Sequence, residues 1–223
     1  AGRQPRLRVA LTFDDAYAGA VELAVPELVR RGIPATMFVA PGLLDGKASW
    51  WDQMAEPVGG VLNDDLRVYA LETLGGAQGR IQAWAGAQRV PWVDAMPDWA
   101  SGASATAVIE ASHLPGIDLG AHSWSHPNLR SLSQNELELE LRTPMEWLKG
   151  HGAMNGTALA YPYGLANEVT IAAARATGYA SAFRVSGGFL SASTIPHSLP
   201  RLNVPAALSA AGLKLRLAGR LIH

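Results

Sequence analysis

The chain has 223 residues, 48% of them apolar, a formal net charge of −1 and no cysteine. Such a chain can bury a full core as one large domain or two small ones, and it cannot form disulfides, thiolate metal sites or a cysteine nucleophile. Near-neutral charge removes the general electrostatic case for nucleic acid or an anionic membrane as partner, and no apolar run reaches the roughly 18–20 residues of a membrane span.

In chain order, residues 8–13 are β-prone and read as a strand. Residues 19–31 carry Val21, Ala24, Leu28 and Val29 at helical spacing, with Gly32 as the stop. Pro26 inside that stretch predicts a kink or a late start. Residues 35–39, ATMFV, form a compact apolar run that reads as a strand buried on both faces. Strand, helix and strand within about thirty residues make a βαβ unit and imply a parallel sheet.

Between residues 41 and 116 the rhythm is lost. This segment holds five of the seven tryptophans, Trp50, Trp51, Trp84, Trp92 and Trp99. A structureless loop of that length is foreign to a compact domain, so the expectation is an insertion with helices near 64–74 and 77–87, beside one end of the sheet. The tryptophans read first as core anchors, with Trp50, Trp51 and Asp52 nearest the groove.

The βα rhythm resumes with a strand at 117–121. Ser133 and Glu136 form a capping box opening a helix with Leu137, Leu141, Met145 and Leu148 on one face; Pro144 predicts a bend. Strands are expected at 159–161, 179–183 and 202–204, a helix at 167–177, and a final core-packed amphipathic helix at 206–221. The whole chain, 1–223, reads as a single domain.

In parallel α/β folds, chemistry collects at the carboxyl ends of strands. Asp14 and Asp15 fall just after the first strand, and His122 and His126 just after the strand at 117–121. Two histidines four apart can reach one metal ion. The HxxxH spacing alone is a weak signal; its placement together with the carboxylate pair strengthens it. Two imidazoles and one carboxylate leave an open position on a divalent ion, the pattern of a catalytic site. The second carboxylate is then free to act as a general base. Bland alternatives are a capping acidic pair and hydrogen-bonded loop histidines. His113, His151 and His223 read as ordinary surface or loop residues.

Three motifs carry a resemblance. Thr12-Phe13-Asp14-Asp15, His122-Ser123-Trp124-Ser125-His126-Pro127 and Tyr161-Pro162-Tyr163-Gly164 stand in this order after separate strands. Together they resemble the polysaccharide deacetylases of the NodB-homology type, carbohydrate esterase family 4, over roughly residues 7–204. The resemblance implies an α/β fold, a distorted (β/α)7-type barrel, with the Trp-rich segment inserted after the second strand. It implies Asp14 as base, and Asp15, His122 and His126 as ligands of a divalent metal, most simply Zn2+, with Co2+, Mn2+, Fe2+ or Ni2+ compatible with the same donors. The substrate implied is an acetylated glycan losing N-acetyl or O-acetyl groups, with Pro162, Tyr163, Gly164 and Trp124 on the substrate side. Alternatives are a deacylase of a small amide or ester, and a non-catalytic carbohydrate-binding module. No signal-peptide pattern is visible; with a first segment AGRQPR that lacks Met, processing or truncation is expected and the compartment stays open.

Two departures from the family pattern stand out. Many members carry an Arg in the third motif that pairs with the base; Ala160 stands at that position here. Arg201 in a late strand is the expected substitute, holding Asp14 ionised. Many members also use a late histidine as general acid, and His197 is the one late histidine available before the strand expected at 202–204; otherwise Asp14, once protonated, or water must serve.

Overall fold

The structure is a computed structural model and describes residues 8–55, 60–153, 156–205 and 208–219. Six strands fall among these, where a (β/α)7 description expects seven: β1 (Leu11–Phe13), β2 (Ala35–Val39), β3 (Ile117–Ala121), β4 (Ala158–Ala160), β5 (Ser181–Gly187) and β6 (Leu199–Arg201). They pair in chain order, each parallel to the next. Sequential parallel pairing sends every crossover the same way around, which curls a twisted sheet toward closure. The curl can be measured at its open side. Laid flat, β1 and β6 would lie about 24 Å apart at strand spacing, beyond any side chain, yet the Arg201 guanidinium touches Thr12 Oγ1 at 3.2 Å. The sheet is therefore a curled half-barrel.

Helices cover its outer face. Helix α1 (Val25–Arg31) follows a π-helical turn, Ala20–Ala24. The missing N–H of Pro26 is tolerated in the first turn of α1, so the α-helix starts late, as Pro26 predicts. Gly32 closes it in the left-handed conformation, φ 63°. Three helices of the insertion region follow, α2 (Trp50–Gln53), α3 (Asp64–Glu72) and α4 (Gln78–Gln88), and then α5 (Ala105–Ser112). The capping box at Ser133 and Glu136 opens α6 (Gln134–Gly150), which runs through Pro144 without a break. Helix α7 (Glu168–Thr177) ends on Gly178.

The main core joins Val21, Val25 and Leu28 beside α1, Val108 and Ala111 of α5, and Leu137, Leu141 and Leu148 of α6 to Met37, Leu119 and Leu159 of the sheet. Thus α5 belongs to the barrel wall although it lies within 41–116. The rest of that segment has its own small core of Trp50, Met54, Ala70, Leu71 and Ile81, against which Trp51, Trp84, Trp92 and Tyr163 pack. Tyr163 is a barrel residue, so it joins the two cores.

Several boundaries differ from the sequence reading, beginning with β1, which starts at Leu11 rather than residue 8. The strand expected at 179–183 runs Ser181–Gly187 instead. The one expected at 202–204 is Leu199–Arg201 instead; Pro200 disguises it in the sequence, and is tolerated because β6 is bonded on one side only. Of the helix expected at 206–221, α8 covers Ala210–Leu217, while 206–207 and 220–221 lie outside the described residues, as does His223. It is not core-packed: none of its residues is buried, and Leu215 points away from Leu213 and Leu217.

Candidate active site

The site lies at the carboxyl ends of the strands. Asp14 and Asp15 follow β1, His122 follows β3, Pro162–Gly164 follow β4, and Arg201 ends β6. Seven non-glycine residues have positive φ among the described residues, and five are here: Asp15, Ala16, Ser123, His126 and Tyr163, at φ 53–71°. Each such conformation costs roughly 1–3 kcal/mol and persists only where surrounding contacts impose it.

Asp15, His122 and His126 converge. Asp15 Oδ1 lies 3.5 Å from His122 Nε2 and 3.3 Å from His126 Nε2, and the two Nε2 atoms are 3.1 Å apart. His122 Nδ1 lies 2.7 Å from the Ala160 carbonyl oxygen. That oxygen can only accept, so Nδ1 carries the proton and Nε2 presents a bare lone pair. Asp15 Oδ1 is buried with no hydrogen-bond partner, as is His126 Nδ1. Burial, only partly offset by His122, and the nearby carboxylates of Asp14 and Asp52 push the Asp15 carboxyl up to about 6. Burial and the neighbouring His122 hold His126 well below the ordinary imidazole range. Three inward-facing acceptors with an orphaned carboxylate oxygen form an unfavourable cluster alone and a favourable one around a cation. Donors bound at about 2.0–2.1 Å in a tetrahedral shell sit about 3.3 Å apart, so the observed spacings fit a divalent ion of zinc size.

Asp14 faces the same centre, with Oδ2 3.9 Å from His122 Nε2. Arg201 grips it in a fork: Nη1 donates to Oδ1 and Nη2 to Oδ2, both at 2.7 Å. The guanidinium is itself set by Nε donating to the Arg184 carbonyl at 2.7 Å and by lying over the Phe38 ring. Burial raises the Asp14 pKa, but His122 and Arg201 more than offset it and leave it below the usual carboxylate value. Asp14 therefore stays ionised near neutrality.

The insertion reaches the same centre. The Trp51 ring packs against the imidazole of His126, centroids 4.7 Å apart. Its Nε1 donates to Tyr17 Oη at 2.8 Å, and Tyr17 donates to Asp52 Oδ2. Tyr163 packs edge-on to His126 from the barrel side, accepts from Trp50 Nε1 at 2.7 Å, and donates to the His126 carbonyl at 3.1 Å. Its hydroxyl is consumed by ties that hold a candidate ligand, rather than left free for substrate. Gly164 is required here: at φ 69° a Cβ would meet Val185 N at 2.5 Å. Pro162 is buried. Trp124 is half-buried; its N–H donates to Glu140 Oε2 and its carbonyl accepts from Gly42 N.

His197 is not brought to this cluster. It is buried, with Nε2 2.7 Å from the Tyr179 carbonyl near the amino end of β5, the side of the sheet away from the site. A ring nitrogen engaged there has no route to the reacting centre. Tyr17 and Glu140 are site neighbours that sequence reasoning missed, while Trp51 and Asp52, expected nearest the groove, respectively pack on His126 and accept from Tyr17. Tyr17 could have been noticed as the second residue after the Asp pair; nothing in the sequence marks Glu140.

A groove of about 340 Å³, lined by Lys47, Gln53, Gln78, Gln82 and Ser125 among others, reaches the loop between the two histidines.

Comparison with known proteins bears on this arrangement. A family model described as polysaccharide deacetylase matches residues 1–182. No curated protein sequence matches the chain. Among solved structures, the Streptococcus pyogenes deacetylase PplD, determined with acetate, is 20% identical at a TM-score of 0.63, over 93% of this chain and 69% of that one. IcaB from Ammonifex degensii is 16% identical at 0.62, over 98% and 76%. A de-N-acetylase from Aggregatibacter actinomycetemcomitans is 15% identical at 0.60, over 93% and 74%. These likenesses establish the fold.

Proposed function

The chain belongs to the polysaccharide deacetylase family, and from that premise we propose that it is a metal-dependent hydrolase removing acetyl groups, N-linked before O-linked, from a glycan. One observation carries the reading: an ionised, Arg-clamped Asp14 stands beside three converging ligand atoms at the carboxyl ends of the strands.

In this reading Asp15, His122 and His126 hold a divalent ion, with Zn2+ the simplest choice for that donor set. When bound, the ion supplies Lewis acidity toward the acetyl carbonyl and lowers the pKa of water. Asp14 accepts the proton of the attacking water, and Arg201 keeps it ionised and aimed. With His197 engaged elsewhere, Asp14, now protonated, is the nearest group able to return that proton to the leaving nitrogen. Tyr163 and Trp51 buttress His126 and shed water from its ring. The groove beside Ser125 has a polar lining in which Gln53 and Gln78 bond each other and Lys47 donates to the Gly42 carbonyl.

The test is acetate release from acetylated chito-oligosaccharides and from an acetate ester, with and without chelator. Chelator-sensitive release restored by Zn2+ is the expected result. A metal-loaded protein that releases no acetate across a panel of N- and O-acetylated glycans overturns the proposal.

A further inference from the structure

The two histidines sit at the ends of a five-residue stretch that contains two left-handed residues. Ser123 and His126 both have left-handed φ, 60° and 59°, a region uncommon for any non-glycine residue even though histidine visits it more often than most. The contacts that impose it are therefore part of the site. His126 N–H is held internally by Ser123 Oγ at 3.0 Å. The other tie comes from outside: Glu140 Oε2 accepts the N–H groups of both Trp124 and Ser125, each at 2.9 Å, and Glu140 Oε1 accepts the Ser125 hydroxyl at 2.6 Å. On the opposite side Gly42 N–H donates to the Trp124 carbonyl at 2.8 Å, where a Cβ on Gly42 would approach that oxygen to 2.6 Å.

Glu140 stands on α6 one residue before Leu141, which is fully buried in the main core. The carboxylate is thus delivered from a rigid helix. Three charge-assisted bonds from one side chain to two consecutive residues are stronger than the same bonds to water or to a neutral amide. We propose that Glu140 is a positioning residue that sets the distance between His122 and His126, and hence the affinity of the site for its metal ion. The proposal rests on the metal-site reading above; Glu140 itself touches neither metal nor substrate.

The experiment titrates Zn2+ into chelator-stripped full-length protein, using calorimetry or competition with a fluorescent chelator. Glu140→Ala and the isosteric Glu140→Gln are compared with Glu138→Ala, an exposed glutamate on the same helix. Loss of an orienting partner outside the ligand atoms costs about 10–100-fold in metal affinity. That loss is expected for Glu140→Ala. A smaller loss is expected for Glu140→Gln, whose amide can accept but no longer carries charge. No change is expected for Glu138→Ala, and the melting temperature of metal-free Glu140→Gln should match the parent. Unchanged Zn2+ affinity in both Glu140 variants overturns the inference, as does an equal loss in Glu138→Ala or a loss that tracks unfolding of the metal-free protein. A parent protein that binds no Zn2+ instead overturns the metal-site reading, so the two failures are distinguishable.

Discussion

Replacing Arg201 by Ala removes both N–H groups that grip Asp14 at 2.7 Å and leaves a carboxylate with only a quarter of its side chain exposed. Burial, the largest influence on Asp14, is then opposed by His122 alone. His122 cannot compensate once it serves as a ligand, because a ligating imidazole is neutral. An adjacent Arg lowers an Asp pKa by about 1–3 units, so the variant's Asp14 should titrate higher by that amount. The acid limb of kcat/KM reports this group in the free enzyme and should move up by about 1–3 pH units. At pH 7 the misaimed base should lower kcat on the order of 10²-fold. Stripping one partner from a fully buried pair costs about 3–5 kcal/mol; partial exposure places this pair at the lower end. The sign follows from linkage: a depressed folded pKa stabilises above the unfolded value of 3.8, and that stability is lost as pH falls through the folded value. Arg201→Lys restores charge without the fork and should recover part of the shift. The assay is a pH–rate profile with a soluble acetylated substrate, paired with thermal melts from pH 3 to 8. An acid limb in Arg201→Ala within about 0.3 unit of the parent refutes the argument, since it would mean Asp14 is not the titrating base or Arg201 does not hold it.

Three other outcomes are expected. In metal-free protein, Asp15→Asn should be more stable than the parent at pH 7 by on the order of 2 kcal/mol, because the parent carries a carboxyl raised to about 6. The advantage should shrink as pH falls from about 6 to about 4, and saturating Zn2+ should reverse the ranking; parallel melts with and without Zn2+ decide it, and a constant difference across pH would count against the cause given. Tyr163→Phe should cost about 1–3 kcal/mol in chemical denaturation, since Trp50 Nε1 loses its acceptor; an unchanged midpoint would mean that this bond does not join the two cores. Leu141→Ala, fully buried in α6, should cost about 2–5 kcal/mol by the cavity it leaves. It should also weaken Zn2+ binding through the neighbouring Glu140; loss of stability without loss of affinity would separate the helix from the loop it holds.

How much of this was legible in the chain follows from the range of each interaction. Leu137, Leu141, Met145 and Leu148 repeat at helical spacing, and the capping box starts the helix, so the start of α6 could be placed to within a residue. Local pattern likewise gave β2, β3, α1, α3, α4 and α7, because each depends on residues only a few positions apart. The motifs named Asp14, Asp15, His122 and His126 together, since candidate donor residues stand out by type after strand ends. Arg201 could be nominated because the family resemblance implies an Arg beside the base and Ala160 stands at the usual position. Distances were another matter. That β6 curls back to put Arg201 on Asp14 depends on the summed twist of six strands. That His197 turns toward Tyr179 depends on which end of β5 its loop crosses. That Tyr163 spends its hydroxyl on Trp50 and His126, that Trp51 packs on the His126 ring, and that Glu140 ties the histidine loop are contacts across 15 to more than 100 residues. Sequence by itself determined which chemistry the chain can carry, because that is a matter of side-chain types and local periodicity. Only the tertiary structure decided what holds each reactive group in place, because non-local packing fixes where carbonyls, rings and carboxylates come to rest.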